Sequence, residues 1–197
     1  FPGASIDARG DADSPIIFSS NDDADLANAN SGLWGGIIVE DSIAFNAENK
    51  FEYVVIADAG AEITLNSKTY NTNLALEGDH DNTTLRFVQS HDARGDGLTL
   101  LGDGTNMNTA RMDWLIITGA GRDAISYEDF SGLVKDALVI HRGGIYNAVE
   151  LTGGRAGIYA SGNASLPLFT NLTLMGNDDE SISTVSYTHL RAHETWS

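Results

Sequence analysis

Apolar residues along this chain come in short runs separated by polar, turn-forming segments. The runs cover Ile16–Phe18, Trp34–Val39, Tyr53–Ile56, Ile63–Leu65, Leu74–Leu76, Leu85–Val88, Leu98–Leu101, Trp114–Ile117, Leu138–Ile140, Val149–Leu151 and Leu172–Leu174. Each has the length of a strand. None sustains the three-and-four spacing that gives a helix one apolar face. The connections are rich in Asn, Asp and Gly, residues that suit turns, and the pattern predicts an all-β chain.

Two phrases recur within this pattern. One reads Asp/Asn, small, apolar, any, apolar: Asp96-Gly97-Leu98-Thr99-Leu100, Asp123-Ala124-Ile125-Ser126-Tyr127 and Asn147-Ala148-Val149-Glu150-Leu151. The other precedes it, as Met112–Gly119 and Lys135–Arg142, with a later copy at Thr170–Gly176 and a degenerate one at Leu85–Gln89. Repeats of about 23–27 residues with two or three short strands each predict coils of a parallel β-helix. Leu98, Ile125 and Val149 would then form one inward column, and Leu100, Tyr127 and Leu151 another. Asp96, Asp123 and Asn147 would be structural corners, each hydrogen-bonding backbone at a bend. An antiparallel sandwich also uses regular short strands, but it does not require one phrase to recur in register. The expected organisation is N-terminal coils with a variable acidic loop over 1–46, an irregular coil over 47–82 and regular coils over 83–177. The β-helix is expected to extend to about residue 184 and to be cut off there.

The N-terminal stretch carries a family resemblance. Ala8-Arg9-Gly10, Ser14-Pro15-Ile16-Ile17-Phe18-Ser19-Ser20 and Leu33-Trp34-Gly35-Gly36-Ile37-Ile38-Val39 resemble the opening of a group of bacterial secreted or surface proteins, often lipoproteins. In that group rungs of a right-handed parallel β-helix follow. The resemblance spans roughly residues 4 to 177. It implies a right-handed coil and an extracytoplasmic location, secreted or anchored at the outer surface. It supplies no catalytic residues. Residues 185–195, Val185 to Thr195, instead resemble a translated sequencing adapter, so 185–197 is expected to be a non-native tail. Its histidines His189 and His193 are therefore set aside as metal ligands.

Charge narrows the partners. With 28 acidic and 11 basic residues the net charge is -17, which speaks against nucleic acid and anionic membrane surfaces. There is no cysteine, hence no disulfide or thiolate chemistry. No apolar run approaches the length of a transmembrane helix.

The sharpest chemical cluster is His91-Asp92-Ala93-Arg94-Gly95-Asp96. Parallel β-helices resemble the pectate-lyase superfamily, whose lyases combine carboxylate-bound calcium with a basic residue. By that resemblance Asp92, Asp96 and Asp123 are weak calcium candidates, and His91 or Arg94 would serve as base or charge stabiliser. Corner residues and a polar turn explain the same cluster without chemistry. Arg-Gly-Asp occurs at 9–11 and 94–96, where chance in a Gly/Asp-rich chain is the simpler account. Acidic clusters at 21–25, 79–81 and 178–180 lack calcium-loop spacing and read as solvated loops. Trp34, Trp114, Tyr53 and Tyr146 could form a sugar-stacking surface, but Trp114 sits in an apolar strand and is expected in the core or as a groove wall. Trp34 is expected to pack beside Gly35 and Gly36.

The function expected from these features is a non-catalytic surface module binding polysaccharide or another surface protein. The alternatives are a calcium-assisted polysaccharide lyase or hydrolase and a structural spacer. No cofactor is required, and calcium is the only one the residues suggest.

Overall fold

The computed structural model describes residues 5–20, 32–40, 48–78, 80, 82–102, 110–128, 133–140, 158–161, 168–170, 173–175 and 182–185, and no helix occurs among them. The chain is all-β and its strands are mostly parallel. The first sheet joins β1 (Asp7–Arg9), β2 (Ile16–Phe18), β4 (Asn49–Ala57), β8 (Thr83–His91), β10 (Arg111–Thr118), β12 (Leu133–Ile140), β14 (Leu168–Thr170) and β15 (Thr173–Met175). The second joins β3 (Ile37–Glu40), β7 (Thr72–Glu77), β9 (Asp96–Leu101), β11 (Ile125–Glu128), β13 (Ile158–Ser161) and β16 (Ile182–Val185). From β7 to β13 the chain alternates between the sheets, placing each new strand beside the previous one of its own sheet; β14 and β15 then both pair with β12, and β16 with β13. Residues 47–82, expected to hold an irregular coil, carry β4 and β7 in register with β8 and β9. Between them lies the one antiparallel pair among the described strands, β5 (Ile63–Leu65) with β6 (Lys68–Tyr70). Its turn residues Asn66 and Ser67 both have positive φ, as a two-residue hairpin loop requires.

Register explains the first repeated phrase. Leu98 pairs with Ile125 and Leu100 with Tyr127. Two further rungs lie upstream, Leu74 against Leu98 and Ile37 against Leu74. The rung beside β11 is Ile158–Ser161, so Ile158 takes the place expected for Val149. Asn147 and the rest of that third phrase lie outside the described residues.

The core forms between the two sheets. Phe51, Val54, Ile56, Leu85, Val88, Met112, Leu115 and Ile117 come from the first, and Leu74, Leu76, Leu98, Leu100 and Ile125 from the second. All are at most 4% exposed, and apolar burial of this kind is the main force holding parallel rungs together.

Burial along the long strands does not alternate simply. Inward residues are Phe51, Val54 and Ile56 in β4, Leu85 and Val88 in β8, and Met112, Leu115 and Ile117 in β10. Two consecutive outward residues therefore intervene: Glu52-Tyr53, Arg86-Phe87 and Asp113-Trp114. The second of each pair is left-handed, with φ of 51°, 54° and 58°. One left-handed residue shifts the strand's facing by one position, as a bulge does. Register skips these three residues while pairing their neighbours on both sides. The same bend thus sits at the same place in three neighbouring strands.

Bulky L-residues pay about 1–2 kcal/mol for this conformation. Stacking offsets part of it. Tyr53 and Phe87 have ring centroids 4.5 Å apart at 17°, and Phe87 and Trp114 6.1 Å apart at 22°. Beside this row runs a column whose charge alternates in sign: Arg9, Glu52, Arg86, Asp113. Arg86 meets Glu52 at 3.1 Å. Shifting one strand by a residue would replace these opposite-charge pairs with charge–apolar ones, so this column favours the observed register.

Phe87 supports the row from its middle. Phe87→Ala should destabilise by about 2 kcal/mol, since both stacks are lost and the left-handed cost stays. Phe87→Gly should be less harmful than Ala by about 1 kcal/mol, the reverse of the usual order in strands. Urea denaturation of both variants measures this, and a glycine variant no more stable than the alanine variant would refute the role assigned to backbone strain.

Candidate functional site

The His91–Asp96 cluster forms the turn that carries the chain from the first sheet to the second. At its start Asp58, Asp92 and Gly119 occupy equivalent places at the ends of β4, β8 and β10, all with positive φ. Backbone bonds bind the turns together: the amide of Asp58 donates to His91 O at 3.2 Å, and that of Asp92 to Thr118 O at 2.9 Å. Next come Ala59, Ala93 and Ala120, all buried. The Asp92 carboxylate lies where a side chain at 119 would begin, which accounts for glycine there.

His91 is held at both ring nitrogens, Nδ1 by Thr118 Oγ1 at 2.6 Å and Nε2 by Gln89 Oε1 at 3.0 Å. Facing a carbonyl oxygen, Nε2 carries the hydrogen, and Nδ1 accepts from the threonine hydroxyl. Burial lowers the His91 pKa, partly opposed by the charges of Asp92 and Asp58. Both ring nitrogens are thus engaged within the turn. Arg94 is exposed, and its side-chain carbons lie against Gly32.

Asp96 is buried at the first position of β9. It accepts a hydrogen bond from Thr99 Oγ1 at 3.1 Å and one from the Asp123 amide at 3.2 Å, and Arg122 Nε stands 3.6 Å away. Burial raises its pKa, partly offset by Arg122 and by these hydrogen bonds. Asp123, also buried, stands just before β11, and its carbonyl accepts from the Gly97 amide. Asp96 and Asp123 therefore meet through backbone on adjacent rungs. A methyl group at 97 would strike Ile117 and the carbonyl of Ala124, so only glycine fits. On the rung above, Thr72 is in register with Asp96, and Asn73 takes the place of Gly97. Its Nδ2 donates to Ile56 O, Ser90 Oγ and His91 O, and its Oδ1 accepts from the Ala59 amide. Among the described residues no three His, Asp or Glu side chains gather as a metal site.

The aromatic residues fall differently from expectation. Trp114 is not in the core: it is 54% exposed on the outer face of the first sheet, because the left-handed bend turns it outward. Tyr53 belongs to the same row, and so does Phe87, which sequence reasoning missed. The signal was a charged–aromatic doublet at one offset from the repeat: Glu52-Tyr53, Arg86-Phe87, Asp113-Trp114. Trp34 packs against the core and donates from Nε1 to Ala57 O at 2.8 Å. Its neighbour Gly35 is closely covered by Ile63, and Gly36, with φ 90°, by backbone of Thr72 and Asn73. Tyr146 lies outside the described residues.

The second Arg-Gly-Asp is not displayed, while the first lies exposed at the end of β1. Asp96 is buried, while Arg9 is held by Asp7 and Asp11 accepts from the amides of Asp13 and Ser14. Residues 21–25 and 178–180 lie outside the described set. From the third acidic cluster, His80 is fully buried and bridges Thr83 Oγ1 and Glu77 O. No helix among the described residues is long and apolar enough to cross a membrane. No protein-family model, curated protein or solved structure matches this chain.

Asp96 makes stability depend on pH. Because its folded pKa is raised, the native state holds this proton more tightly than the unfolded chain. Its contribution to stability is full below the unfolded value of 3.8 and declines as pH rises toward the folded value. Asp96→Asn removes that titration while keeping an acceptor for the Asp123 amide and a donor toward Thr99. The melting temperature of the variant relative to wild type should rise between pH 4 and 7. A difference that stays flat or falls over that range would contradict it.

Proposed function

We propose that this chain is a right-handed parallel β-helix that serves as a non-catalytic binding module on the outside of a bacterial cell. Two in-register parallel sheets, visited alternately and packed over one core, support the coiled architecture. The family resemblance of the N-terminal segment supports the right-handed sense and the extracytoplasmic location. The partner would be a polysaccharide or another surface protein.

The observation that carries the functional reading is the outer face of the first sheet. It displays an aromatic row ending in an exposed tryptophan, bordered by charged side chains, on a rigid parallel scaffold. A pure spacer has no need to keep large aromatic rings in strained backbone on its outside. The lyase alternative draws less support. Asp96 already accepts two hydrogen bonds next to a guanidinium, and His91 has no lone pair free to take a substrate proton.

Electrophoresis in native gels cast with individual polysaccharides tests this directly, since the acidic protein migrates readily. Retardation by at least one polysaccharide, without release of unsaturated oligouronides from polygalacturonate plus calcium, is the expected result. Product release would establish the lyase. Absence of retardation in every gel, together with no capture of a purified envelope protein, would leave the spacer.

A further inference from the structure

We infer that Trp114 is the anchor of a binding site for a neutral glycan, one sugar ring of which continues the aromatic row. This deepens the binding-module proposal and rests on it.

The argument starts from what the rings offer. In the row Tyr53–Phe87–Trp114 the rings stack on one another, so both faces of Phe87 are taken. Trp114 differs. One indole face rests on Phe87, and the residue is 54% exposed. On the following strand, register pairs Asp113 with Lys135 and Leu115 with Ala137, which gives the next place in the row to Asp136. The aromatic row ends there. A flat, partly apolar ring laid on the exposed indole surface would extend the aromatic row, and the apolar face of a pyranose has that shape.

The surroundings select for charge. Arg86 and Asp113, of opposite sign, occupy the positions just before Phe87 and Trp114, with Glu52 one rung up and exposed Arg111 near the start of β10. Because signs alternate, a polyanion or polycation gains no net local attraction. Hydroxyl groups, which both donate and accept, can use either sign. The net charge of -17 adds long-range repulsion of polyuronates. On the other side of the row, the outward column through Ile17, Val55, Gln89 and Ile116 supplies apolar surface, with Ile17 63% exposed. An aromatic platform with an apolar flank and mixed polar groups on the other is the composition expected of a neutral-sugar site.

The test uses the full chain in native gels containing hydroxyethylcellulose, galactomannan, polygalacturonate or chitosan. Wild type should be retarded by a neutral glycan and not by polygalacturonate. Trp114→Ala should bind that glycan about tenfold more weakly, the loss of roughly one aromatic contact. Trp114→Tyr should recover most of the affinity. Trp114→Tyr should keep the wild-type thermal transition, whereas Trp114→Ala, which loses its stack on Phe87 and keeps the left-handed backbone, should melt a few degrees lower while still unfolding cooperatively, and binding measured below that transition should alter indole fluorescence in the wild type but not in Trp114→Ala. Unchanged retardation of Trp114→Ala would overturn this site and leave the binding module intact. Retardation only by polygalacturonate or chitosan would overturn the neutral-glycan assignment. A self-association abolished by Trp114→Ala, with no glycan effect, would make a second copy the occupant instead. Absence of retardation by all four glycans would remove both this site and the polysaccharide arm of the binding proposal.

Discussion

The structure depends on neighbouring parallel strands, β4, β8 and β10, bending at the same points. In a parallel sheet each strand shares its hydrogen bonds with neighbours on both sides, so a bend tolerated in one strand must be matched in the next. Tyr53, Phe87 and Trp114 supply one such bend and Asp58, Asp92 and Gly119 another. Between the two lies a short straight segment, Val54–Ala57 in β4 and its equivalents. Its inward residues Val54 and Ile56, with Val88, Leu115 and Ile117, fill the core. The first bend changes which residues face inward, and the second redirects the chain toward the opposite sheet. Without the pair of bends the inward columns would not line up, and the core would have no second wall.

Bends leave backbone groups without ladder partners, and buried polar side chains take up that role. Asn73 alone binds the carbonyls of Ile56 and His91 and the amide of Ala59, all at the same corner. Ser90 donates to Gly97 O at 2.9 Å beside it. At the opposite end of the sheets, His80, Thr83 and Asn49 form a similar chain, with Asn49 Oδ1 accepting from the Ile6 amide. Asn73, Ser90, His80 and Asn49 each meet a backbone group in the interior, where an unmet donor or acceptor costs about 1–3 kcal/mol. Asp96 belongs to the same set. Its carboxylate is placed to receive the Asp123 amide one rung away, which gives a structural reason for an acid in a buried position.

These origins decide what was legible in the sequence. The phrase at 96–100 and 123–127 could be read because its positions simply alternate, and the structure puts those rungs side by side. Its upstream relatives were hidden. Thr72-Asn73-Leu74 and Gly35-Gly36-Ile37 occupy the same register with different polar residues, since Asn73 serves the corner through its amide and Gly36 makes room for the backbone of Thr72 and Asn73. Ile158–Ser161 takes the rung beside β11 with no Asp or Asn phrase to announce it. Trp114 was misjudged for a different reason. Strict alternation from Met112 puts residue 114 inside, and only a left-handed residue, which no local propensity for tryptophan foretells, reverses it. The corner triplets Asp58-Ala59-Gly60, Asp92-Ala93-Arg94 and Gly119-Ala120-Gly121 were short enough to pass for chance until their hydrogen bonds joined them.

The same logic separates the places where chemistry is available from those where it is spent. The corner acids and histidines look reactive in sequence, yet each is committed to holding a turn: His91 through two ring contacts, Asp96 through its amide and hydroxyl partners, Asp92 beneath Gly119. The outer aromatic row has the opposite character. Its residues bear a backbone cost that their mutual stacking offsets only while each ring has a neighbour. Tyr53 has Phe87, and Phe87 has both. Trp114 has the largest ring of the three, one ring neighbour among the described residues, and more than half of its surface exposed. A surface ligand with a flat apolar face gains most at that point, because the strain that turns the indole outward is already part of the fold and binding need not supply it.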